Sequence, residues 1–312
     1  ILLVTAFRHD IPYSIHQCFA IITGLIIEAI PFLLLGTIGS TVIRYFVPQS
    51  VLLKLLGDYS WKSYGAAMVS GLALPVCDCA IIPLFKALTD RGVPLSVALL
   101  FMLASPIINP ITILSTWYAF PDDPMISVWR IVLGLGVALL VSLSFRFYPP
   151  SKELMKARNT QNLSYEEILI ESSKSKHINK KRLLIHMEKE FAQLLFYFSM
   201  AACVLSVVQV YGKPWLINAG VTLPIVWAIP ILLILAFFFS ICSTSDAIIG
   251  KSLSTLFPIS SVMGFLILGP MLDIKNVYIL KQYMATSFIL RLSITIVVMS
   301  YIAALGFQFF VG

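Results

Sequence analysis

Between Ala285 and Phe310 the chain carries one charged residue, Arg291; Val93 to Phe120 carries none, and Met125 to Tyr148 only Arg130 and Arg146. Runs of about 20 or more apolar residues bury their surface only in a hydrocarbon layer roughly 30 Å thick, so such a chain is driven into a bilayer. There every backbone N–H and C=O must be satisfied internally. The alternating pattern of barrel strands is missing, which leaves helices. Composition agrees: 59% of residues are hydrophobic, 12% are charged and the mean hydropathy is +0.92, against about 25% charged in a soluble domain. The expectation is an all-α polytopic membrane protein rather than a soluble enzyme.

The net charge of +7 does not point to nucleic acid, because 15 of the 37 charged residues fall between Ser151 and Glu190. Nine of those are Lys or Arg, which marks a cytoplasmic loop beside the membrane. Lys180-Lys181-Arg182 reads as a topology determinant in contact with anionic lipid, and Ser164 with Glu167 has capping-box spacing for a short surface helix. The chain divides into an N-terminal membrane repeat (1–150), a basic cytoplasmic linker (151–190) and a C-terminal membrane repeat (191–312). No charged region precedes a cleavable apolar stretch, so no signal peptide is expected. Five cysteines, Cys18, Cys77, Cys79, Cys203 and Cys242, lie mostly in apolar segments and argue against a disulfide framework.

The apolar segments are broken at definite points. His16 to Phe46 contains Glu28 and Pro31 and is expected to tilt or kink. Trp61 to Leu88 is interrupted at Pro75 to Cys79, where proline removes a donor and Asp78 is placed to cap the second of two half-helices. Val93 to Phe120 is interrupted at Ser105-Pro106 and Asn109-Pro110, and the turn 121–124 precedes a span from Met125 to Tyr148. After the linker come Phe191 to Tyr211, Val221 to Leu256 with a break at 242–246, Pro258 to Leu272, and Ala285 to Phe310.

The breakers align. A shift of 164 places Pro94 on Pro258, Ser96 on Ser260, Phe101 on Phe265, Pro106 on Pro270 and Asn109 on Asp273, and Ala80-Ile81-Ile82 matches Ala247-Ile248-Ile249 after a short gap. This implies two repeated halves, with the breaks at 77–79 and 244–246 opposite one another. If the broken blocks turn back as re-entrant hairpins, Arg44, Lys54, Lys62, Lys86, Arg91, Lys275 and Lys281 are cytoplasmic, and Arg8, Arg130, Lys213 and Lys251 external. If the blocks cross instead, only four of these eleven stay inside, so positive charge favours inverted repeats. Each half is then expected to have about three spanning helices and one broken re-entrant hairpin, with the two hairpin tips meeting near the midplane.

Ionisable groups at membrane depth are costly and need a reason. Glu28, Asp78, Asp246 and Asp273 are the acids placed there. The bland alternative for Asp78 and Asp246 is helix capping, which is compatible with a functional role. Two half-helices starting near Cys79 and Thr244 aim positive dipole ends at one centre, an arrangement suited to an anion and to thiolates. Cys77, Cys79 and Cys242 are therefore candidate ligands for a soft metal or metalloid. An anionic substrate or lipid head group would instead use helix N-termini with Ser243, Thr244, Ser245 and Asn109. Asp78, Asp246 and Asp273 complete the candidate substrate site, and Glu28 and Asp273 are the candidate coupling acids. Cys18 and Cys203 read as small buried hydrophobes. No zinc-finger spacing or Walker A loop is present, and no cofactor is expected.

The strings Leu74-Pro75-Val76-Cys77-Asp78-Cys79, Gly92-Val93-Pro94, Ala104-Ser105-Pro106-Ile107-Ile108-Asn109-Pro110, Cys242-Ser243-Thr244-Ser245-Asp246-Ala247 and Gly269-Pro270-Met271-Leu272-Asp273-Ile274-Lys275-Asn276 together resemble the bacterial predicted-permease family that includes the ArsP-type organoarsenical efflux permeases. The resemblance covers both apolar halves. It implies a multipass permease of the bacterial inner membrane, with Cys77, Cys79 or Cys242 at the positions that handle trivalent arsenic in the arsenical exporters. The last two strings look like a separate, Gram-positive-type subgroup, for which a second small membrane protein and metal homeostasis are implied. Partners expected are lipids, a small solute, that second protein and further copies of the chain, but not nucleic acid. A membrane thiol-redox subunit and a non-transporting scaffold are the alternatives to a secondary permease.

Overall fold

The computed structural model describes residues 16–24, 26–27, 30–31, 34, 38, 49–73, 78–148, 188–189, 191–192, 195–196, 199–200, 202–203, 206, 224–239, 246–254, 257–281 and 283–311. Among them all regular structure is helical. Residues 16–24 and the described residues between 188 and 206 are helical, and the helices whose bounds are placed are, before residue 150, α1 (Gln49–Leu56), α2 (Trp61–Ala73), α3 (Asp78–Asp90), α4 (Leu95–Ala104), α5 (Pro110–Ala119) and α6 (Met125–Phe147). After residue 190 they are α7 (Ile225–Phe239), α8 (Asp246–Leu253), α9 (Ile259–Met271), α10 (Ile274–Leu280) and α11 (Thr286–Val311). Among the described residues three stretches are long and apolar enough to cross a bilayer, Met125–Phe147, Ile259–Leu280 and Thr286–Phe310; α4 and α7 are shorter apolar helices.

Local chemistry sets the boundaries. α3 ends in a Schellman motif: Gly92 sits at φ +85, the Gly92 N–H donates to Thr89 O and the Val93 N–H to Leu88 O. Pro94 and Pro258 hold the extended conformation before α4 and α9, at φ −53, ψ 135 and φ −55, ψ 142. Proline supplies this geometry because its ring fixes φ, and the N–H it lacks would have no helical partner there. α5 starts with Pro110 behind Asn109, whose side chain accepts from Ile111 N at 3.0 Å. α10 starts behind Asp273, whose Oδ1 accepts from Asn276 N at 2.6 Å. The run Ile259–Leu280 is thus interrupted at Leu272, which is extended at φ −147, ψ 112.

α4 and α9 are central. Ser96 to Ala104 and Ser260 to Met271 are buried on every side, the mark of a helix surrounded by others. α6 buries one face, with Ser127, Arg130, Gly134, Val137, Ala138, Val141 and Phe145 at helical spacing, and leaves Val128, Val132 and Leu140 outside. α11 exposes Leu290, Ile294, Val298 and Ile302 four residues apart, a lipid-facing stripe that costs nothing in hydrocarbon. Small residues let backbones approach: a Cβ on Gly134 would lie 2.8 Å from Ile107 Cδ1, and one on Gly264 would lie 3.2 Å from Ala304 Cβ. Buried hydroxyls tie helices together through Tyr64 Oη donating to Ser96 Oγ at 2.9 Å and Ser142 Oγ donating to Ser96 O at 2.6 Å.

The two parts of the chain interlock. α3 packs on α4 and also reaches α10; α8 packs on α9 and also reaches α5; α6 lies against both α9 and α11. The Cys18 thiol lies 3.8 Å from Ser206 O, joining the segments around 16–24 and 199–206 as well.

Candidate functional site

The α5–α8 crossing brings together a pair of deeply buried charges. Arg130, on the inner face of α6, is 2% exposed, and so is the carboxylate of Asp246, the first residue of α8. Arg130 Nη2 donates to Asp246 Oδ2 at 2.6 Å and Nη1 donates to Thr116 Oγ1 at 2.6 Å. The Thr116 hydroxyl donates in turn to Thr112 O at 2.8 Å, so its proton is committed and a lone pair faces the guanidinium. A planar guanidinium suits this fork because it presents parallel donors on a weakly hydrated cation. Gly269 of α9 closes the other side: a Cβ there would stand 3.6 Å from Asp246 Oδ2.

Beyond Gly269, Pro270, Met271, Leu272 and Asn276 line a cavity of about 20 Å³ together with Ile82 of α3 and Met102 of α4. That is room for one water. Asn276 Oδ1 is buried and has no hydrogen-bond partner among the described residues, and a water in this cavity is the chemistry that suits it. Beside it Lys275 Nζ lies 3.4 Å from Asp273 Oδ2, both residues essentially inaccessible. The segment 269–276 therefore separates two polar centres, Arg130–Asp246–Thr116 on one side and the cavity on the other.

Of the residues expected from sequence, Asp246, Asp273 and Asn109 are buried here, Asp246 in an ion pair and the other two as caps. Asp78 and Cys79 are the first described residues of α3, and residues 74–77 ahead of them lie outside the described residues. Glu28, Cys77, Cys242, Ser243, Thr244 and Ser245 lie outside the described residues. Among the described residues no group of three or more His, Cys, Asp or Glu is placed to hold a metal ion. Three expectations change. Arg130 is not an external positive residue but a buried ion-pair partner, because α8 supplies a carboxylate at its depth. Lys275 is likewise no loop cation, since Asp273 neutralises it in the interior. Removing both leaves the order of the two topologies unchanged. Cys203 is exposed and Cys18 half-buried, so neither is a fully enclosed hydrophobe.

Arg130, Thr116, Lys275 and Asn276 were missed as site residues. The signal for Arg130 was present: the cost argument applied to intramembrane acids applies equally to an arginine inside an apolar run.

The fold and its buried charges define a helical membrane protein with ionisable groups at the contact between two helical sets, the construction of a solute permease. The chain belongs to the predicted permease family ArsP_1, whose model matches residues 14–309. It is 32% identical over 91% of its length, and 92% of the other chain, to a putative two-component membrane permease complex subunit of Streptococcus mutans. It is 30% identical over 91% of its length, and 95% of the other chain, to the UPF0718 protein YcgR of Bacillus subtilis. A UPF0718 protein of Methanocaldococcus jannaschii, MJ0584, is 33% identical over 40% of this chain and 33% of its own. No solved structure matches the chain.

Proposed function

We propose that the chain is a bacterial inner-membrane permease subunit that moves a small solute through a site between its helices before 150 and after 190. The observation that carries this reading is the buried Arg130–Asp246 pair, which bridges the two sets of helices at their crossing. A buried ion pair is often no more stabilising than apolar residues of equal volume, so its presence at the contact between the two sets of helices argues for use. The halves act as inverted repeats that rock about this site to give alternating access. Supporting this are the same structural roles at Pro94 and Pro258 and at Asn109 and Asp273, and the reciprocal reach of α3 to α10 and α8 to α5. The Streptococcus mutans relative is named a subunit of a two-component complex, and a second membrane protein is proposed as partner here.

Two solute classes fit. A trivalent metalloid or soft metal species, exported, would be held by Cys77, Cys79 and Cys242, which flank the starts of α3 and α8 in sequence. An anionic solute or lipid head group would be held by hydrogen-bond donors, and the guanidinium at the α8 start favours this second class. The test expresses the chain and its Cys77→Ser/Cys79→Ser, Arg130→Gln and Asp246→Asn variants in cells challenged with trivalent arsenicals, arsenite, zinc and copper. Altered accumulation of one element, abolished in the double cysteine variant, supports the thiol class. No change for any element removes that class. An accumulation phenotype untouched by either charge substitution refutes the site.

A further inference from the structure

Arg130 uses two of its three nitrogens. Nε is buried and has no hydrogen-bond partner among the described residues, and the same holds for the hydroxyl of Ser127. Ser127 stands three residues before Arg130, a spacing that puts both on one face of α6, and it is 3% exposed. Buried donors without acceptors are rare in folded proteins and call for an explanation. Here two of them accompany a guanidinium whose present partner sits on a different helix set.

We propose that Arg130 is the receptor for a small anion, a carboxylate or phosphate-type oxyanion, and that Asp246 takes up one proton as the anion displaces it. Charge conservation is the reason for linking the two events. The resting pair is a cation and an anion; after exchange the guanidinium holds the incoming anion through Nη2 and Nε, and Asp246 is a neutral acid that can donate a hydrogen bond. Neither arrangement leaves net charge in a medium where an unpaired ion is expensive. The one bond formed is the O–H bond of Asp246, the one broken is an O–H bond of hydronium, and the water left behind returns to the solvent. Among the described residues the other titratable groups stand apart from the pair. α8 packs on α5 and α9. The titratable side chain on α5 is Tyr118, which is exposed, and α9 has none. Lys251 at the far end of α8 faces Asp122 in the exposed turn at 3.2 Å, and Arg146 of α6 lies four turns from Arg130 over the Tyr59 and Tyr64 rings. Anion entry through this pair would make transport of a monovalent anion electroneutral when a proton accompanies it.

This assignment rests on the permease reading and gives its site a substrate class. The test uses the purified full chain in detergent at constant ionic strength, with sodium formate and inorganic phosphate as probes. The native chain should take up about one proton per anion bound, read as a pH rise in weakly buffered solution. Asp246→Asn should bind the same anion about tenfold or more tightly, read by thermal stabilisation, with no proton taken up. Arg130→Gln should do neither; if it does not fold, the Arg130→Gln/Asp246→Asn variant, neutral at both positions, replaces it. Failure of both probes to stabilise Asp246→Asn, or equal proton uptake by Asp246→Asn and the native chain, overturns the proposal. Anion flux into proteoliposomes separates the two readings. Binding with proton uptake but no flux would refute the permease and leave the receptor standing, whereas flux undiminished in Arg130→Gln would refute the receptor and leave the permease standing.

Discussion

Gly134 offers a measurement whose sign is decided by two competing terms. Alanine in place of glycine within a helix gains about 1 kcal/mol of intrinsic propensity. Against this, a Cβ at 134 would stand 2.8 Å from Ile107 Cδ1, 3.0 Å from Cγ2 and 3.5 Å from Cγ1. Two of these are closer than ordinary van der Waals contact, and Ile107 is 1% exposed in the break between α4 and α5, so it has little room to withdraw. Overpacking of this kind costs roughly 1–3 kcal/mol. Gly134→Ala is therefore expected to destabilise, by up to about 2 kcal/mol after the propensity gain. A graded series isolates the cause. Ile107→Val removes Cδ1 and the nearest contact, so Gly134→Ala in that background should lose much of its penalty; Ile107→Ala removes Cγ2 and Cδ1 together, and there Gly134→Ala should be neutral or stabilising. Each single substitution at 107 opens a cavity of its own, and only the coupling between positions is diagnostic. The assay is reversible unfolding in mixed micelles, followed by circular dichroism. Additive effects in all backgrounds, or a stabilising Gly134→Ala in the native background, would refute the close packing of α6 on the 105–109 break.

A double-substitution cycle on Arg130 and Asp246 should show each neutralisation alone costing about 3–5 kcal/mol and the pair of them markedly less, because each single change strands a buried charge; equal additive costs would contradict direct pairing. Asn276→Leu is expected to leave stability nearly unchanged, since it removes a buried carbonyl oxygen that has no partner among the described residues, yet to lower solute flux if the adjoining cavity lies on the transport route; flux assays and melting curves on the same preparation check both. Asp273→Asn keeps a capping oxygen but removes the carboxylate beside the buried Lys275, so it should lower the melting temperature, and Lys275→Met in that background should restore it. Lys251→Ala, which breaks an exposed pair, should change stability by less than about 1 kcal/mol.

The helix breaks were legible because they are written in residues whose backbone preferences are local. Asn109-Pro110 starts α5, Pro94 and Pro258 precede α4 and α9, and Asp273 caps α10, each at the position its chemistry favours. The site was legible by halves. Asp246 and Asp273 stood out as acids in apolar surroundings, but their partners did not. Lys275 reads as a loop cation because the apolar span ends at Leu272 and nothing local marks the short α10 beyond it, and Arg130 reads as an external anchor because its partner lies 116 residues away. A pairing over that distance depends on α8 crossing from its own half to α5, and no local propensity encodes a crossing.

That distance also sets a schedule. Arg130 is synthesised 116 residues before Asp246, an interval of about 6 to 23 seconds at roughly 5–20 residues per second. Throughout it, a guanidinium built for the protein interior has Thr116, fourteen residues earlier, but no counter-ion from α8. α6 must therefore wait in a tilted or shallow position, or beside the insertion machinery, until α8 arrives. Nascent chains that stop within this window lack the counter-ion that α8 supplies to Arg130. Final seating of α6 is thus a late event in assembly, although α6 itself is made before the middle of the chain.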